Sequence, residues 1–290
     1  MRYGIYTYKR IASMNRVLLD CEWDTSESLL KRYKRFTPGN SGRWGPVVGV
    51  DKIDEADFVV CIGPPTGRDY AGRRVIQLRR EPDFVESFRR HPQAESVLDY
   101  SGVGYHACTY HLQSSYDDLM RLDYPVKKKT CSLISSSKWR NRNELILKIS
   151  NLSASSSVDF FGKSLDKVIG QELHKGQLDF PNSNCKEKAL LDYSYSIAIE
   201  NSRQECYFSE KLIDCFLTWT MPIYWGCPNI SKYFPEESLI TFSEDTVNDI
   251  QEIISTPVSR IQIEAMSHSR QLVLNKYGLW PTIDRMINEL

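Results

Sequence analysis

The feature that most constrains the fold is a regular alternation of apolar strands and amphipathic helices in the second half of the chain. Strands are predicted at residues 131–136, 157–162, 193–199, 221–226 and 238–242. Helices are predicted at residues 142–152, 209–219, about 246–255 and 259–275. Such alternation is typical of a parallel sheet whose faces are covered by helices. The second half is therefore predicted to be an α/β domain.

The first half shows a less regular version of the same pattern. Strands are predicted at residues 3–8, 56–63 and 74–78, and a helix at 25–36 with Thr25 or Ser26 as its cap. Residues 123–130 (DYPVKKKT) resemble a linker, because Pro125 cannot continue a helix and the lysines at 127–129 favour solvent. We therefore predict two domains that are divided near residue 125.

Composition and charge exclude several classes of protein. Lys+Arg and Asp+Glu both number 37, so the chain has no net charge that would attract nucleic acid. No apolar run approaches the roughly 18–20 residues that span a bilayer, and the N-terminus is too polar for a signal peptide. The eight cysteines are scattered without a C-x-x-C pair, which favours reduced thiols. We expect a cytoplasmic protein without a transmembrane segment, and peripheral membrane contact stays open.

Polar side chains cluster where three of the predicted strands end. Residues 135–142 follow one strand of the second domain, residues 200–211 follow another, and Glu81 follows a strand of the first domain. Ligands of doubly wound sheets bind beyond the carboxyl ends of the strands. The first two clusters should therefore share one rim, and Glu81 should look into the same cleft if the domains face each other.

The helix predicted at 209–219 carries an unusual cation. Ser209 is a good N-cap, and Lys211 lies in the first turn, where the helix already has about half a positive charge. A lysine there makes sense if an anion binds, and a diphosphate is the obvious candidate. The alternative is that Lys211 pairs with Asp214 three residues later.

These residues resemble the motif of the α-1,3-fucosyltransferase family. The family pattern is Glu-Asn-Ser, four residues, Tyr, one residue, Ser or Thr, then Glu-Lys. Here it reads Glu200-Asn201-Ser202-(RQEC)-Tyr207-Phe208-Ser209-Glu210-Lys211. The segments MPIYWGCPNISKYFP and SSSKWRNRNELILKISNL are also similar to the family. The departures are Ile199 in place of an aromatic residue, Glu205-Cys206 before the tyrosine, and the serines at 135–137 in place of Asn and Cys.

The resemblance implies a GT-B architecture, an α/β fold of two Rossmann-like domains whose parallel sheets face a central cleft. It assigns residues 1–125 to acceptor binding and residues 126–275 to binding of GDP-fucose. Residues 276–290 would form a C-terminal helix that could pack back on the first domain.

The resemblance also implies roles for the motif residues. Arg142 and Lys211 would stabilise the charge of the departing GDP, and no divalent metal is expected, since the chain contains no D-x-D sequence. Asn201, Tyr207 and Glu210 would complete the donor pocket. Glu200 would either contact the donor or accept backbone N–H groups as a scaffold.

The general base implied by the family is a glutamate of the acceptor domain, and Glu81 in QLRREPDF is the best match. Glu86 and Glu95 are rivals, and RREPD could instead be an ion-paired turn. His106 and His111 are expected in packing or surface roles. Acceptor sugars could stack on aromatic residues of the first half, although such residues more often belong to a core; the candidates are Trp23, Trp44, Tyr100 and Tyr105.

The function implied is transfer of fucose from GDP-fucose to a hydroxyl of an N-acetylglucosamine-type glycan, with inversion and an α-1,3 linkage. The acceptor would be an oligosaccharide or a glycolipid. Two alternatives remain: a transferase that uses another GDP-sugar, and a catalytically silent protein that binds a nucleotide or a glycan.

Overall fold

The computed structural model describes residues 14–70, 72–82, 89–98, 107–138, 140–152, 158–178 and 186–290. The predicted strand at 3–8 lies outside the described residues. So do several residues singled out above, namely Glu86, Tyr100, Tyr105 and His106.

The first half of the described chain forms a six-stranded sheet. Its strands are β1 (Asn15–Asp20), β2 (Arg43–Trp44), β3 (Val47–Val50), β4 (Phe58–Ile62), β5 (Arg74–Leu78) and β6 (Ala94–Leu98). They lie in the order β2-β3-β1-β4-β5-β6, and of these described strands only β2 runs antiparallel to its neighbour. β4 and β5 agree with the predicted strands, whereas β1, β2, β3 and β6 were not predicted.

The second half forms a five-stranded parallel sheet. Its strands are β7 (Lys129–Ile134), β8 (Val158–Phe161), β9 (Tyr193–Ile199), β10 (Met221–Trp225) and β11 (Ile240–Thr241), in the order β11-β10-β9-β7-β8. Every residue of β10 is buried, as expected for a strand covered on both faces. All five strands lie within two residues of their predicted bounds.

Both sheets have the same doubly wound order. The parallel strands of the first sheet lie in the order β3-β1-β4-β5-β6, and those of the second lie in the order β8-β7-β9-β10-β11. In each sheet the second parallel strand lies on one side of the first, and all later strands are added on the other side. The strand order switches between β1 and β4 in one domain and between β7 and β9 in the other. Ligands bind such folds at the carboxyl ends of the strands beside the switch.

Helices cover the faces of both sheets. They are α1 (Ser26–Tyr33), α2 (Tyr116–Arg121), α3 (Arg140–Leu152), α4 (Asp166–Ile169), α5 (Glu210–Leu217), α6 (Ile250–Ser255), α7 (Arg260–Leu272) and α8 (Leu279–Glu289). α1 is capped by the Thr25 side chain, which accepts a hydrogen bond from the Ser28 N–H. Across the part of the chain that the structure describes, none of the helices has both the length and the apolar character that a membrane crossing requires.

The C-terminal helix α8 packs on the first sheet. It contacts β2 and β3, and the fully buried Trp280 donates its indole N–H to the Tyr33 carbonyl at 2.9 Å. Gly49 of β3 makes room for this ring, because a Cβ there would lie 2.8 Å from Trp280 Cη2. A return of the chain to the first domain therefore joins the two halves.

Lys127 corrects the expectation of a solvated linker. Its ammonium donates to the carbonyls of Leu191 and Thr218, each at 3.0 Å, and to Thr220 Oγ1 at 3.3 Å. Burial lowers the pKa of Lys127 to about 7. The side chain ties the segment before β7 to the end of α5, because backbone carbonyls replace the water that the sequence pattern implied.

Candidate active site

A cleft of about 620 Å³ lies between the two halves and is lined by residues of both. From the first domain it receives the segment after β5, including Glu81, and from the second the segments after β7 and β9. Arg142, Asn201, Tyr207, Glu210 and Lys211 all line it. The cleft thus brings together every residue that was assigned above to donor binding or to proton transfer, with the exception of Glu200.

Arg142 lies at the switch point of the second sheet. It is 3% exposed, and its guanidinium donates to Asn201 Oδ1 at 2.9 Å and to the Ser136 carbonyl at 2.9 Å. These contacts connect the end of β7 with the end of β9. The Arg142 Nε is buried and has no hydrogen-bond partner among the described residues, so a donor remains for an anion in the cleft.

Lys211 is held at the N-terminus of α5 by its own turn. Its ammonium lies 3.1 Å from Ser209 Oγ, 3.3 Å from Glu210 Oε1 and 3.6 Å from Glu200 Oε2. The alternative that Lys211 pairs with Asp214 is wrong, because the Asp214 carboxylate instead binds the ammonium of Lys186 at 2.9 Å. The Lys211 side chain therefore lies at the rim of the cleft.

Glu200 is placed as a scaffold. Its side chain is fully buried, and its carboxylate accepts the Ser209 N–H at 2.8 Å and the Ser209 hydroxyl at 2.6 Å. Glu200 is absent from the described residues that line the cleft. This geometry favours the structural alternative over the donor contact, because both carboxylate oxygens are used to hold the cap of α5.

The loop between β9 and α5 is anchored from behind. Asn229 Oδ1 accepts the Cys206 N–H at 2.9 Å, and Cys206 has the left-handed φ of +61°. This turn directs Tyr207 inward, where its side chain is 1% exposed and lines the cleft. Asn229, which lies outside the motif, is thus part of its support.

Glu210 faces the cleft in a cationic setting. Burial by itself would raise the pKa of its carboxyl group, but neighbouring cations, Lys211 first among them, hold it well below the ordinary value. Glu210 is therefore ionised and able to accept hydrogen bonds from sugar hydroxyls.

Glu81 lies on the opposite wall, three residues after β5. It is accessible from the cleft, yet desolvation by the surrounding walls raises the pKa of its carboxyl group, with Lys211 opposing this shift and Glu210 reinforcing it. The rival Glu95 sits on β6, pairs with Arg74 at 2.9 Å and is absent from the described lining residues. Of the two described candidates, Glu81 alone faces the cationic rim.

Sequence reasoning missed three residues of the site. His111 lines the cleft, and burial lowers its pKa to about 4, so its imidazole is neutral near pH 7. Lys186 and Arg80 also line the cleft, and the positive charge of each lowers the pKa of Glu210. His111 and Arg80 lie outside strands and helices, and Lys186 begins a short 3-10 helix, so no periodicity points to a site at any of them.

Two buried carboxylates of the second domain dock the segment that carries His111. Asp214 accepts the His111 N–H at 3.0 Å, and Glu187 accepts the N–H groups of Gln113 and Ser114, both at 2.8 Å. Charge-assisted hydrogen bonds of this kind are strong and directional. They set the position of one wall of the cleft relative to the other.

Metal binding has no described ligand set. No group of three or more His, Cys, Asp or Glu side chains able to hold a metal ion occurs among the described residues. The seven described cysteines are buried free thiols. Among the described residues that line the cleft, arginine and lysine side chains supply positive charge that can meet an anion.

Comparison with known proteins bears out the family resemblance for the second domain. Residues 125–255 match the family model described as glycosyltransferase family 10 (fucosyltransferase) C-term. The chain is similar to an alpha-(1,3)-fucosyltransferase of Helicobacter pylori, with 32% identity over 77 residues that make up 27% of this chain. It is also similar to an alpha-(1,4)-fucosyltransferase of Arabidopsis thaliana, with 30% identity over 91 residues, or 31% of this chain. These matches span 16% and 22% of the two relatives.

Solved structures extend the similarity of fold to nearly the whole chain. The crystal structure of an alpha1,3-fucosyltransferase with GDP-fucose has a TM-score of 0.57 and 14% identity, and the match covers 98% of this chain and 93% of the other. A structure of alpha1,3-fucosyltransferase with GDP gives a TM-score of 0.57 at 15% identity, and covers 97% of this chain and 90% of the other. The predicted GT-B fold is confirmed.

Proposed function

From the family 10 match of the second domain, we propose that the protein transfers fucose from GDP-fucose to a hydroxyl of a glycan acceptor. The observation that carries this proposal is the meeting of Arg142 and Lys211 at one rim of the cleft, with Glu81 on the facing wall. The two cations share the buried Glu200 as a neighbour, so they belong to one electrostatic unit. Such a unit suits a nucleoside diphosphate.

In the proposed reaction, the two cations stabilise the negative charge that grows on GDP as its bond to the anomeric carbon breaks. The first turn of α5 contributes its N–H groups and the positive end of its dipole. Fixed charges of this kind stabilise a leaving group without reorganisation at the moment of reaction. In this proposal, the two cations and the helix N-terminus supply the charge stabilisation without a metal.

Glu81 is proposed as the general base. Its carboxylate would take the proton of the acceptor hydroxyl as that oxygen attacks the anomeric carbon from the face opposite GDP, which gives inversion. Its raised pKa makes it a better proton acceptor than an ordinary glutamate, provided that the pH keeps it ionised. We propose an α-1,3 linkage to an N-acetylglucosamine-type sugar, on the similarity to the family, and a cytoplasmic location.

Replacing Glu81 tests the proposal. For Glu81→Gln we expect GDP-fucose affinity to survive while transfer falls by about 10²–10⁴-fold, because an amide cannot take the proton. The measurements are calorimetric donor binding and the rate of fucose transfer to N-acetyllactosamine-type acceptors. Glu95→Gln is the matched control, since Glu95 pairs with Arg74 away from the cleft and should leave transfer intact.

Three results would overturn the proposal. Binding of UDP-sugars in preference to GDP-fucose would remove the donor assignment, and turnover of another GDP-sugar in its place would change the sugar transferred. Tight GDP binding with no turnover of any acceptor would instead favour a silent binding protein.

The pH profile adds an independent readout. The transfer rate of the native protein should fall as the pH drops through a pKa above that of an ordinary glutamate, since protonation removes the base. The Glu81→Gln variant should lack this acidic limb. An unchanged limb in the variant would assign the titration to another group.

A further inference from the structure

The wall of the cleft formed by the first domain carries more positive charge than the donor requires. Its described lining residues include Arg32, Arg79, Arg80 and Arg89, against the single carboxylate of Glu81. The donor side supplies its own cations from the second domain, Arg142, Lys186 and Lys211 among them. The excess charge therefore lies on the side that would receive the acceptor.

Some of these arginines have partners within the protein. Arg32 forms an ion pair with Asp24 at 2.8 Å. Arg80 donates to Thr109 Oγ1 at 2.5 Å, and its charge lowers the pKa of Glu210. Arg89 is different, because it is exposed at the cleft and no described carboxylate pairs with it. Its guanidinium can therefore bind a ligand without breaking a described ion pair.

The buried side-chain amide of Gln77 holds the backbone at Arg89 in place. Gln77 is fully buried, and its side-chain N–H group donates to the Gly63 carbonyl and to the Arg89 carbonyl, each at 3.0 Å. Its oxygen accepts the His91 N–H at 2.8 Å. Gln77 thus fixes the backbone of Arg89 next to Gly63, at the switch point of the first sheet.

An exposed indole covers the same place. Trp23 is 54% exposed and lies against Gly63, where a Cβ would come within 3.0 Å of its ring carbon Cζ3. Gly63 also has the left-handed φ of +88°, which favours glycine. An aromatic ring in this position offers an apolar face for the C–H groups of a sugar, and Arg89, which lines the same cleft, can bind an anion with two hydrogen bonds.

We propose that Trp23 and Arg89 form an acceptor subsite for a sugar that carries an anionic group, either a carboxylate or a sulfate ester. This inference rests on the proposed glycosyl transfer for its role, although the subsite itself is a matter of binding. The indole stacks on the sugar ring, and the Arg89 fork holds the anionic substituent. The remaining arginines of the wall add attraction that salt weakens.

The test compares acceptors that share one skeleton. A neutral N-acetyllactosamine-type oligosaccharide is set against the same skeleton with a terminal carboxylated sugar and against its sulfated form. Binding is measured by calorimetry in the presence of GDP, and transfer by kcat/KM with GDP-fucose. We expect at least one acidic form to be favoured about tenfold or more at low salt, and the preference to shrink as salt rises.

Variants locate the effect. Arg89→Gln should remove most of the preference for the acidic acceptor, whereas Arg90→Gln should leave it unchanged, because Arg90 donates to the Ala94 carbonyl and is absent from the described lining residues. Trp23→Ala should weaken binding of both kinds of acceptor, and Trp23→Phe should restore part of it. The carboxylated and sulfated arms show which anion the subsite prefers.

Equal binding of neutral and acidic acceptors would overturn the inference, and so would a ratio that Arg89→Gln and Arg90→Gln change alike. Failure of the proposed transferase activity gives a different result, namely no fucose transfer to any acceptor. The binding arm still decides the subsite in that case, because it does not depend on turnover.

Discussion

At the scale of single residues, Lys211 shows how a locally unfavourable choice becomes useful. A cation in the first turn of a helix opposes the helix dipole, which costs stability in isolation. Here the buried Glu200 and the neighbouring Glu210 balance that charge at 3.6 and 3.3 Å. Since Asp214 is taken by Lys186, the Lys211 ammonium stays at the rim, where an incoming diphosphate can reach it.

Removal of this ammonium should weaken GDP binding. For Lys211→Ala we expect the Kd of GDP to rise about 10- to 100-fold, the loss typical of a hydrogen bond to a charged group. Calorimetric titration measures it. Lys148→Ala, which removes an exposed lysine of α3, is the control and should not change the Kd. Unchanged affinity in Lys211→Ala would refute the phosphate assignment.

At the scale of elements, the N-terminus of α5 depends on one hydroxyl. Ser209 Oγ caps the helix, donates to the buried Glu200 carboxylate at 2.6 Å and lies 3.1 Å from the Lys211 ammonium. The cap therefore couples helix stability to the position of the cation. A change at the cap should therefore alter both the free energy of unfolding and the affinity for GDP.

Ser209→Ala should lower the free energy of unfolding by about 2–3 kcal/mol, since a lost cap and a weakened contact to a buried carboxylate add together. Ser259→Ala removes the exposed cap of α7 and should cost only about 1 kcal/mol. Urea denaturation measures both. The affinity for GDP should fall in Ser209→Ala and stay unchanged in Ser259→Ala. Equal GDP affinities in the two variants would contradict the coupling between the α5 cap and the Lys211 ammonium.

At the scale of the whole molecule, the cleft exists because the two halves are fixed to each other. α8 returns to the first sheet through Trp280, and the carboxylates of Glu187 and Asp214 hold the segment between the sheets. The facing walls, and with them the relation of Glu81 to Lys211, follow from these contacts. A rigid joint keeps reacting groups within range of each other.

Trp280→Ala should lower the free energy of unfolding by about 3–5 kcal/mol, because a fully buried indole and its hydrogen bond to Tyr33 are lost. Trp23→Ala provides the comparison, since Trp23 is 54% exposed and should change the unfolding free energy by less than about 1 kcal/mol. Denaturant titration separates the two variants. A small effect at Trp280 would mean that α8 does not secure the first domain.

The strands of the second sheet could be predicted because each is a continuous apolar run bounded by turns, and β9 matches its predicted bounds of 193–199. The first sheet was predicted in part. β1 was missed although it has six residues, and β3 has only four and contains Gly49, where a Cβ would meet the side chains of Leu30 and Trp280. Local periodicity identifies an element only when its own residues carry the pattern.

The sequence by itself determined the α/β class, the strands of the second sheet, and the positions of Arg142, Tyr207 and Lys211 after strand ends, because these depend on residue type and local spacing. Only the tertiary structure decided which charges meet. Arg142 and Asn201 are 59 positions apart, and Lys186 takes Asp214 from 28 positions away. Glu200 turned inward to hold a cap, and His111 and Arg89 entered the cleft from irregular segments. Electrostatic partners depend on distance in space, and the chain order does not contain that distance.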